Sequence, residues 1–524
     1  MKKYAEGTTA LVCCMLFIFC AHAQTPSIIW QKSFGGSLED NLEFHQKTSD
    51  GGYILAGESR SSISGNKLEE SQGIYDYWVI KTDSAGNMIW QNNIGGTDAD
   101  FLWVAQETTD GGYILGGYSQ SPASGDKNEN EEGLSDYWII KLTSSGIIAW
   151  QKTIGGSQND YLRSLQQTTD GGYIIGGESY SPADSSKTVP SRGSSDYWII
   201  KLNASGDTMW QKAFGGTGTE VLYTVLQTAD GGYILGGYSN SSASLPDKTE
   251  NSRGGNDYWI VKLNNNGVKE WDKTIGGNDE DRLASIDQTS DGGYILGGGS
   301  KSSNSGEKSE NSYGEYDYWV VKTTATGDIA WQTTIGGSER DFLRSIKQIP
   351  DGNYILGGFS ASDISGNKTE NSKGFFDYWP IKLSSSGNII WQKVIGGSYN
   401  DVILNVGIAS NNSFTLAGYS ESPLSGDKTD SSFGETDYWF VKISDATSSN
   451  MYEFTGSGNW NIAANWLNNA IPPAALPANA EIIINPTGND ECILNVAQTI
   501  LPGGKITVMP GKKINVQGNL TIQQ

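Results

Sequence analysis

Histidine and cysteine are scarce in this chain of 524 residues. It has two histidines, His22 and His45, and of its four cysteines only Cys492 lies beyond residue 20. One imidazole and one thiol past the N-terminal segment exclude His-rich zinc sites and an intrachain disulfide there, and argue against Ser-His-Asp or Cys-His catalysis. The fold must therefore be held together by its core.

Positive charge is also in short supply. The chain has 36 Lys plus Arg against 59 Asp plus Glu, a formal net charge of −23. Because a phosphate backbone requires a basic face, this balance argues against nucleic-acid binding. Past the N-terminal segment no apolar run is long enough for a transmembrane helix, so we expect no membrane span in the processed protein.

The first 23 residues have the pattern of a secretory signal peptide. Lys2 and Lys3 precede an apolar run over residues 10–19, and Ala21-His22-Ala23 supplies the small-x-small cleavage motif. We therefore expect a protein that is secreted, either extracellular or on the cell surface. Lipidation is a weaker alternative, because the cysteines in this segment lack the small preceding residue of a lipoprotein signal.

Glycine and tryptophan are abundant, with 67 and 17 residues, and the tryptophans recur with a fixed period. Seven of them precede a Gly-Gly pair at spacings of 60 or 61 residues: Trp30, Trp90, Trp150, Trp210, Trp271, Trp331 and Trp391. An Asp-Tyr-Trp motif recurs equally often, starting at Asp76, Asp136, Asp196, Asp257, Asp317, Asp377 and Asp437. The chain thus contains seven copies of one unit, and most of its tryptophans are expected in the core.

Each unit contains four strand-like segments. In the second copy these cover residues 101–108, 112–119, 136–142 and 147–154, rich in aromatic and β-branched residues and separated by Gly, Asp and Ser. Four short antiparallel strands per unit predict an all-β protein, a seven-bladed β-propeller. A linear solenoid is the alternative, but it requires polar capping repeats, and none is visible.

The ends of the repeat region predict how the ring closes. Residues 27–34 have a fourth-strand sequence, whereas the last unit, residues 401–444, stops after its third strand. The N-terminal strand is therefore expected to complete the last blade and cover its open edge. The predicted organisation is a signal peptide over 1–23, a propeller over 24–444, a linker over 445–450 and a small β domain over 451–524.

Two resemblances follow from these motifs. Units such as Trp150-Gln151-Lys152-Thr153-Ile154-Gly155-Gly156 resemble the repeats of secreted β-propellers of Bacteroidetes, and the Gly-x-x-x-Trp turn is similar to the docking motif of quinoprotein-like propellers. The quinoprotein enzymes bind a quinone with calcium beside a cysteine pair, which this chain lacks, so the resemblance does not imply dehydrogenase activity. Residues 456–466, with Gly-Asn-Trp and Asn-Trp, resemble β-solenoid-like modules of bacterial surface proteins.

An acidic residue closes the Gly-Gly turn of every unit and is expected on one rim of the channel. These residues are Asp40, Asp100, Asp160, Glu220, Asp281, Asp341 and Asp401. One hypothesis is a cation site, with calcium as the candidate metal. The alternative, which we favour, is that each carboxylate caps its own turn by accepting backbone N–H bonds.

Three residues past each of these acids, a nearly uniform strand has one variable position. The copies read Glu43, Trp103, Arg163, Tyr223, Ala284, Arg344 and Leu404. A position released from the packing constraint near the channel can serve binding, so Glu43, Trp103, Arg163, Tyr223 and Arg344 form the predicted ligand surface. Neutral drift at an exposed site is the alternative.

A lysine recurs in the long loop between the second and third strands. The copies are Lys67, Lys127, Lys187, Lys248, Lys308, Lys368 and Lys428. A fixed ammonium competes with a bound cation, so we expect local ion pairs in these loops rather than calcium sites, and such pairs contribute little to stability if exposed.

The function expected from the sequence is non-enzymatic: an extracellular binding or scaffold protein, monomeric, for a glycan, peptide or protein partner. Nearly identical blades offer no recognisable catalytic group, and we expect no organic cofactor. The alternative is a carbohydrate-active enzyme, a hydrolase or lyase, that uses carboxylates in the channel. General acid–base catalysis needs two carboxyls in unlike environments, and Glu43 is the one blade-specific acid at the variable position.

Overall fold

The computed structural model describes residues 26–410, 413–445, 450–467, 471–476, 480–486 and 490–523. The predicted signal peptide lies outside these residues. Seven antiparallel sheets follow one another along the chain, each made of four sequential strand positions. They form a seven-bladed β-propeller, and we number the blades one to seven from the sheet that begins at Asp40.

The strands of each blade are named inner, second, third and outer. The inner strands are Asp40–Lys47, Asp100–Glu107, Asp160–Gln167, Glu220–Gln227, Asp281–Gln288, Asp341–Gln348 and Asp401–Ser410. The second strands are Tyr53–Ser59, Tyr113–Ser119, Tyr173–Ser179, Tyr233–Ser239, Tyr294–Ser300, Tyr354–Ser360 and Ser413–Ser420. In the second blade these bounds lie within one residue of the predicted segments.

The third strands are Asp76–Thr82, Asp136–Leu142, Asp196–Leu202, Asp257–Leu263, Asp317–Thr323, Asp377–Tyr378 with Ile381–Leu383, and Asp437–Ser444. The outer strands are Met88–Ile94, Ile148–Ile154, Thr208–Phe214, Lys269–Ile275, Ile329–Ile335, Ile389–Gln392 and Ile28–Phe34. The third strand of blade six is interrupted at Pro380, because proline has no N–H to donate to the ladder.

The core lies between neighbouring blades, where the repeated Asp-Tyr-Trp motif joins each blade to the next. Each motif tyrosine packs on the next motif tryptophan, with ring centroids 4.7–5.0 Å apart. Its hydroxyl donates to that tryptophan's carbonyl at 2.9–3.2 Å. The seventh pair, Tyr438 with Trp78, joins blade seven to blade one, so the cycle of contacts is closed.

The N-terminal strand completes the ring as predicted. Ile28–Phe34 pairs antiparallel with Asp437–Ser444, the third strand of blade seven. Gln31 accepts the indole N–H of Trp439 at 3.1 Å and donates to the carbonyl of Asp427 at 2.8 Å. The equivalent contacts within blade two are made by Gln151, so the closing strand reproduces those of an uninterrupted blade.

The C-terminal segment forms parallel sheets of its own. Its strands are Asn450–Phe454, Gly458–Asn459, Ala475–Leu476, Ala480–Ile484, Glu491–Leu494, Gln498–Ile500, Lys505–Val508, Lys513–Val516 and Leu520–Ile522, with a 3-10 helix at Ala463–Asn465. Every third strand pairs in parallel, which gives three three-stranded sheets around a core that includes Trp460 and Trp466. Such stacking of successive turns is the arrangement of a β-solenoid.

Candidate functional site

A β-bulge interrupts every inner strand at the variable position. The pairing between inner and second strands shifts register between Leu42 and Phe44 in blade one and at the equivalent point of the other six blades. The residue inside the shift has no cross-strand partner. Bulges re-aim side chains next to functional sites, so the bulge frees this position from the packing that keeps its neighbours uniform.

A cavity of about 360 Å³ lies on the axis of the ring, lined by residues from the inner strands of all seven blades. Every bulge residue contributes to its wall: Glu43, Trp103, Arg163, Tyr223, Ala284, Arg344 and Leu404. The structure thus brings together all five residues of the predicted ligand surface. Their role in binding stays a prediction.

Arg163 is held in place on the wall of the cavity. Its guanidinium carbon lies 4.1 Å from the centre of the Trp103 ring, within the range of a cation–π contact. Its Nη2 donates to Glu178 on the second strand of the same blade at 2.7 Å, and Glu178 is 2% exposed. Arg163 therefore has a fixed position and a compensated charge.

Arg344, the other arginine of the wall, has no such partner. Its guanidinium carbon lies 5.9 Å from the Tyr223 ring centre and 6.0 Å from that of Phe342. It makes neither an ion pair nor a hydrogen bond with any part of the chain that the structure describes. Its guanidinium N–H donors remain available inside the cavity.

Glu43 faces these arginines from blade one. Burial raises the pKa of its carboxyl to about 7, and the positive charges of Arg344 and Arg163 offset the effect only in part. Burial also raises the pKa of Glu58, on the adjoining second strand, and the charge of Glu43 adds to that rise. The two carboxyls therefore hold protons at a pH where exposed glutamates are ionised.

The seven turn acids do not line the cavity; each lies buried in its own turn. One carboxylate oxygen of each accepts the N–H of the second glycine of the Gly-Gly pair at 2.6–2.8 Å. A serine hydroxyl from the following loop, Ser61 in blade one, also donates to each carboxylate. This is the geometry of the capping alternative. Within the described ranges, no group of three or more His, Cys, Asp or Glu side chains is placed to hold a metal.

The expectation of local ion pairs at the loop lysines is wrong. All seven side chains are buried, at most 2% exposed, and none forms a salt bridge with a described residue. Lys67 donates to the carbonyl of Ser61 at 2.6 Å, and Lys187 lies 5.7 Å from the Trp198 ring centre. The long aliphatic stem lets each lysine cross the loop and bind polar groups inside it.

A second ring of wall residues was missed by the sequence analysis. Six positions past each turn acid the copies read Gln46, Gln106, Gln166, Leu226, Asp287, Lys347 and Gly407. All but Gly407 line the cavity. This position varies among the seven copies, as the bulge position does. Comparing the seven copies at every position of the inner strand would therefore have identified it.

Comparisons with known proteins agree with a repeat protein of this kind but give no family. No family model matches the chain. The regulatory protein FlaEY of Caulobacter vibrioides is 21% identical over 450 residues, 75% of this chain and 45% of that protein. An uncharacterised WD repeat-containing protein of Acanthamoeba polyphaga mimivirus is 22% identical over 496 residues, 81% of this chain and 32% of that protein. The chain spans less than half the length of each of these relatives.

Solved structures give similarities at low identity. The WD40 domain of Neurospora crassa Pan2 superposes with a TM-score of 0.42 and 8% identity, covering 80% of this chain and 96% of that one. A protein of unknown function from Dyadobacter fermentans gives a TM-score of 0.40 and 8% identity, covering 80% and 99%. The strand pairing itself defines the class: a seven-bladed β-propeller with a polar cavity on its axis. Among the residues described, no helix has the length and apolar character of a membrane span.

Proposed function

We propose that this protein is a non-enzymatic binding or scaffold protein that works outside the cell and holds part of a glycan, peptide or protein partner in its axial cavity. One observation carries the proposal. The position that varies among otherwise near-identical blades is the bulge position, and all seven bulge side chains converge on one cavity. Because the seven inner strands surround one axis, the differences among the copies all change the wall of a single cavity.

The wall of the cavity has the composition of a recognition site. Trp103 and Tyr223 offer flat apolar faces, while Arg163, Arg344 and Glu43 offer charged hydrogen-bonding groups. A volume of about 360 Å³ is near the lower end of ligand pockets, so it accommodates one or two units of a polymer rather than a long segment. Export is supported by the signal-peptide pattern of residues 1–23.

Binding to an array of polysaccharides and peptides tests this proposal. Ala284→Trp should fill the cavity and abolish binding of any ligand that the wild type retains, because the indole would occupy the open side of the wall. Ala204→Trp, the same change on an exposed hairpin of blade three, is the matched control and should bind normally. Trp103→Ala combined with Arg163→Ala should also lose the ligand. Unchanged binding by the cavity variants would refute the proposal.

A carbohydrate-active enzyme is the second candidate, favoured by Glu43 and Glu58. Both carboxyls have raised pKa values, and one is a wall residue while the other is buried behind it. Glycoside cleavage requires one carboxyl that donates a proton and a second that is ionised. Glu43 and Glu58 meet this requirement only at a pH where one of the two has lost its proton. Release of product from a polysaccharide by the wild type, and its loss in Glu43→Gln, would support this candidate. Binding without cleavage supports the first.

A further inference from the structure

We infer that the ligand of the axial cavity carries an oxyanion, a carboxylate or phosphate group, that binds to Arg344 and Lys347. This inference rests on the proposed function and specifies the chemistry of the ligand. It follows from an excess of unpaired hydrogen-bond donors on the cavity wall.

Three glutamines supply the first set of donors. The side-chain carbonyls of Gln46, Gln106 and Gln166 accept the backbone N–H of the next blade at 2.8, 2.7 and 2.6 Å. A backbone N–H can bond only to the oxygen of an amide, so these contacts fix which end of each side chain is used. The NH2 groups are left as donors, and none has an acceptor among the described residues.

The charged donors lie on blade six. Arg344 and Lys347 are three residues apart on one inner strand, and both line the cavity. Neither forms an ion pair or a hydrogen bond with the described chain, whereas Arg163 is paired with Glu178. A half-buried guanidinium and ammonium with no acceptor in the described chain can donate only to solvent or to a ligand, and a bound oxyanion would supply charged acceptors.

The acceptors of the wall do not balance these donors. One oxygen of Asp287 already accepts the N–H of Gln348 at 2.9 Å, and Lys347 acts on this carboxyl through its charge without forming an ion pair. The side-chain oxygen of Asn405 is a further wall acceptor and has no hydrogen bond with the described residues. Burial raises the pKa of Glu43 to about 7, so near neutral pH this carboxyl is ionised only in part. The cavity is thus a donor-rich site inside a protein of net charge −23. Anion binding would therefore have to come from these local donors, because the overall charge of the protein repels anions.

Calorimetric titration with matched small probes tests the inference. Glucuronate and glucose differ by a carboxylate on the same sugar, and inorganic phosphate reports the alternative oxyanion. Glucuronate or phosphate should bind the wild type at least about tenfold more tightly than glucose, since a charge-assisted bond contributes about that much. Binding of glucuronate alone assigns the site to carboxylates, and binding of phosphate alone assigns it to phosphates.

Substitutions locate the bound anion. Arg344→Gln and Lys347→Gln should each weaken anion binding by about tenfold or more, and Arg344→Lys should retain part of it. Arg340→Gln makes the same charge change on an exposed residue of the same blade and should bind like the wild type. Thermal melts of every variant exclude unfolding as the cause.

Two results would overturn the oxyanion inference. One is that no anionic probe binds the wild type; the other is that Arg344→Gln binds anions as the wild type does. If array ligands are lost in Ala284→Trp but kept in Arg344→Gln, the inference fails while the proposed function stands. If Ala284→Trp also keeps every ligand, the proposed function fails as well.

Discussion

Replacing Glu43 by glutamine should make the protein more stable above neutral pH and leave its stability unchanged in acid. Burial raises the pKa of this carboxyl from 4.5 to about 7, so folding favours the protonated form. The folded state therefore binds more protons than the unfolded state between these two values, and the stability of the wild type falls as the pH rises through that window. Glutamine resembles the neutral acid and has no proton to lose.

The size of the effect follows from the shift. Each pKa unit corresponds to about 1.4 kcal/mol, so the full shift corresponds to about 3 kcal/mol of stability missing from the wild type at pH 8. For a ring of about 420 residues, this amounts to a rise in Tm of about 3 °C. Glu43 interacts electrostatically with four neighbouring groups, namely Arg344, Arg163, Glu58 and Tyr419. Removing its charge also lowers the pKa of Glu58, because the charge of Glu43 is one of the causes that raise it.

Thermal and urea denaturation at pH 4, 6 and 8 would measure this difference, with tryptophan fluorescence as the probe. Glu315→Gln, on an exposed loop of blade five, is the control and should show no gain at any pH. A Glu43→Gln variant that is less stable than the wild type at pH 8 would refute the reasoning. So would an equal gain at pH 4 and pH 8, since a gain in acid cannot arise from the charge.

Three further predictions concern the ring. Tyr438→Phe removes the hydroxyl that donates to the carbonyl of Trp78 between blades seven and one. It should cost about 1 kcal/mol in urea denaturation, the same as Tyr197→Phe between blades three and four. A much larger loss for Tyr438→Phe would contradict the view that the ring closes with the same contact it uses elsewhere. Gly155→Ala would place a Cβ 1.8 Å from Asp136 and should lower the Tm by several degrees, whereas Gly111→Ala, at a φ of +79° in open space, should cost only about 1 kcal/mol. Lys382→Met removes the ammonium that pairs with the buried carboxylate of Asp445 at 2.6 Å, while the indole N–H of Trp391 still donates to that carboxylate at 2.9 Å, so the change should cost about 3 kcal/mol, measured as a lower urea midpoint.

The ring could be predicted from the sequence because its determinants repeat. The Asp-Tyr-Trp motif recurs in seven copies, and the tyrosine of every copy packs on the tryptophan of the next. The fixed spacing of the motif in the sequence therefore corresponds to one repeated contact between neighbouring blades. Closure was predictable for a related reason: residues 27–34 carry a fourth-strand pattern without a preceding third strand. The last blade lacks a fourth strand, and the N-terminal strand supplies it by pairing with Asp437–Ser444.

The interior of the channel could be predicted only in part, because a β-bulge has no signature in a single strand. The bulge before Phe44 changes which side chains face the axis, so strict alternation fails to identify Gln46 as a wall residue. The loop lysines were misjudged for another reason. Composition places lysine at the surface, whereas carbonyl and hydroxyl acceptors folded into each loop accommodate its ammonium in the interior.

The order of side chains around the ring makes the wall of the cavity asymmetric. Blades two, three and four present large groups in sequence, Trp103, Arg163 and Tyr223, and the contact of Arg163 with Trp103 closes that side. Blade five presents only Ala284, the smallest of the bulge side chains, and beyond it the guanidinium carbon of Arg344 lies 5.9 Å from the Tyr223 ring centre. Because a bulge residue has no cross-strand partner, exchanging one of these side chains changes the cavity while leaving the repeated Tyr–Trp contacts between blades intact. The repeated Tyr–Trp contacts that close the ring thus involve none of the bulge residues, and this separation allows a nearly symmetric ring to hold an asymmetric site.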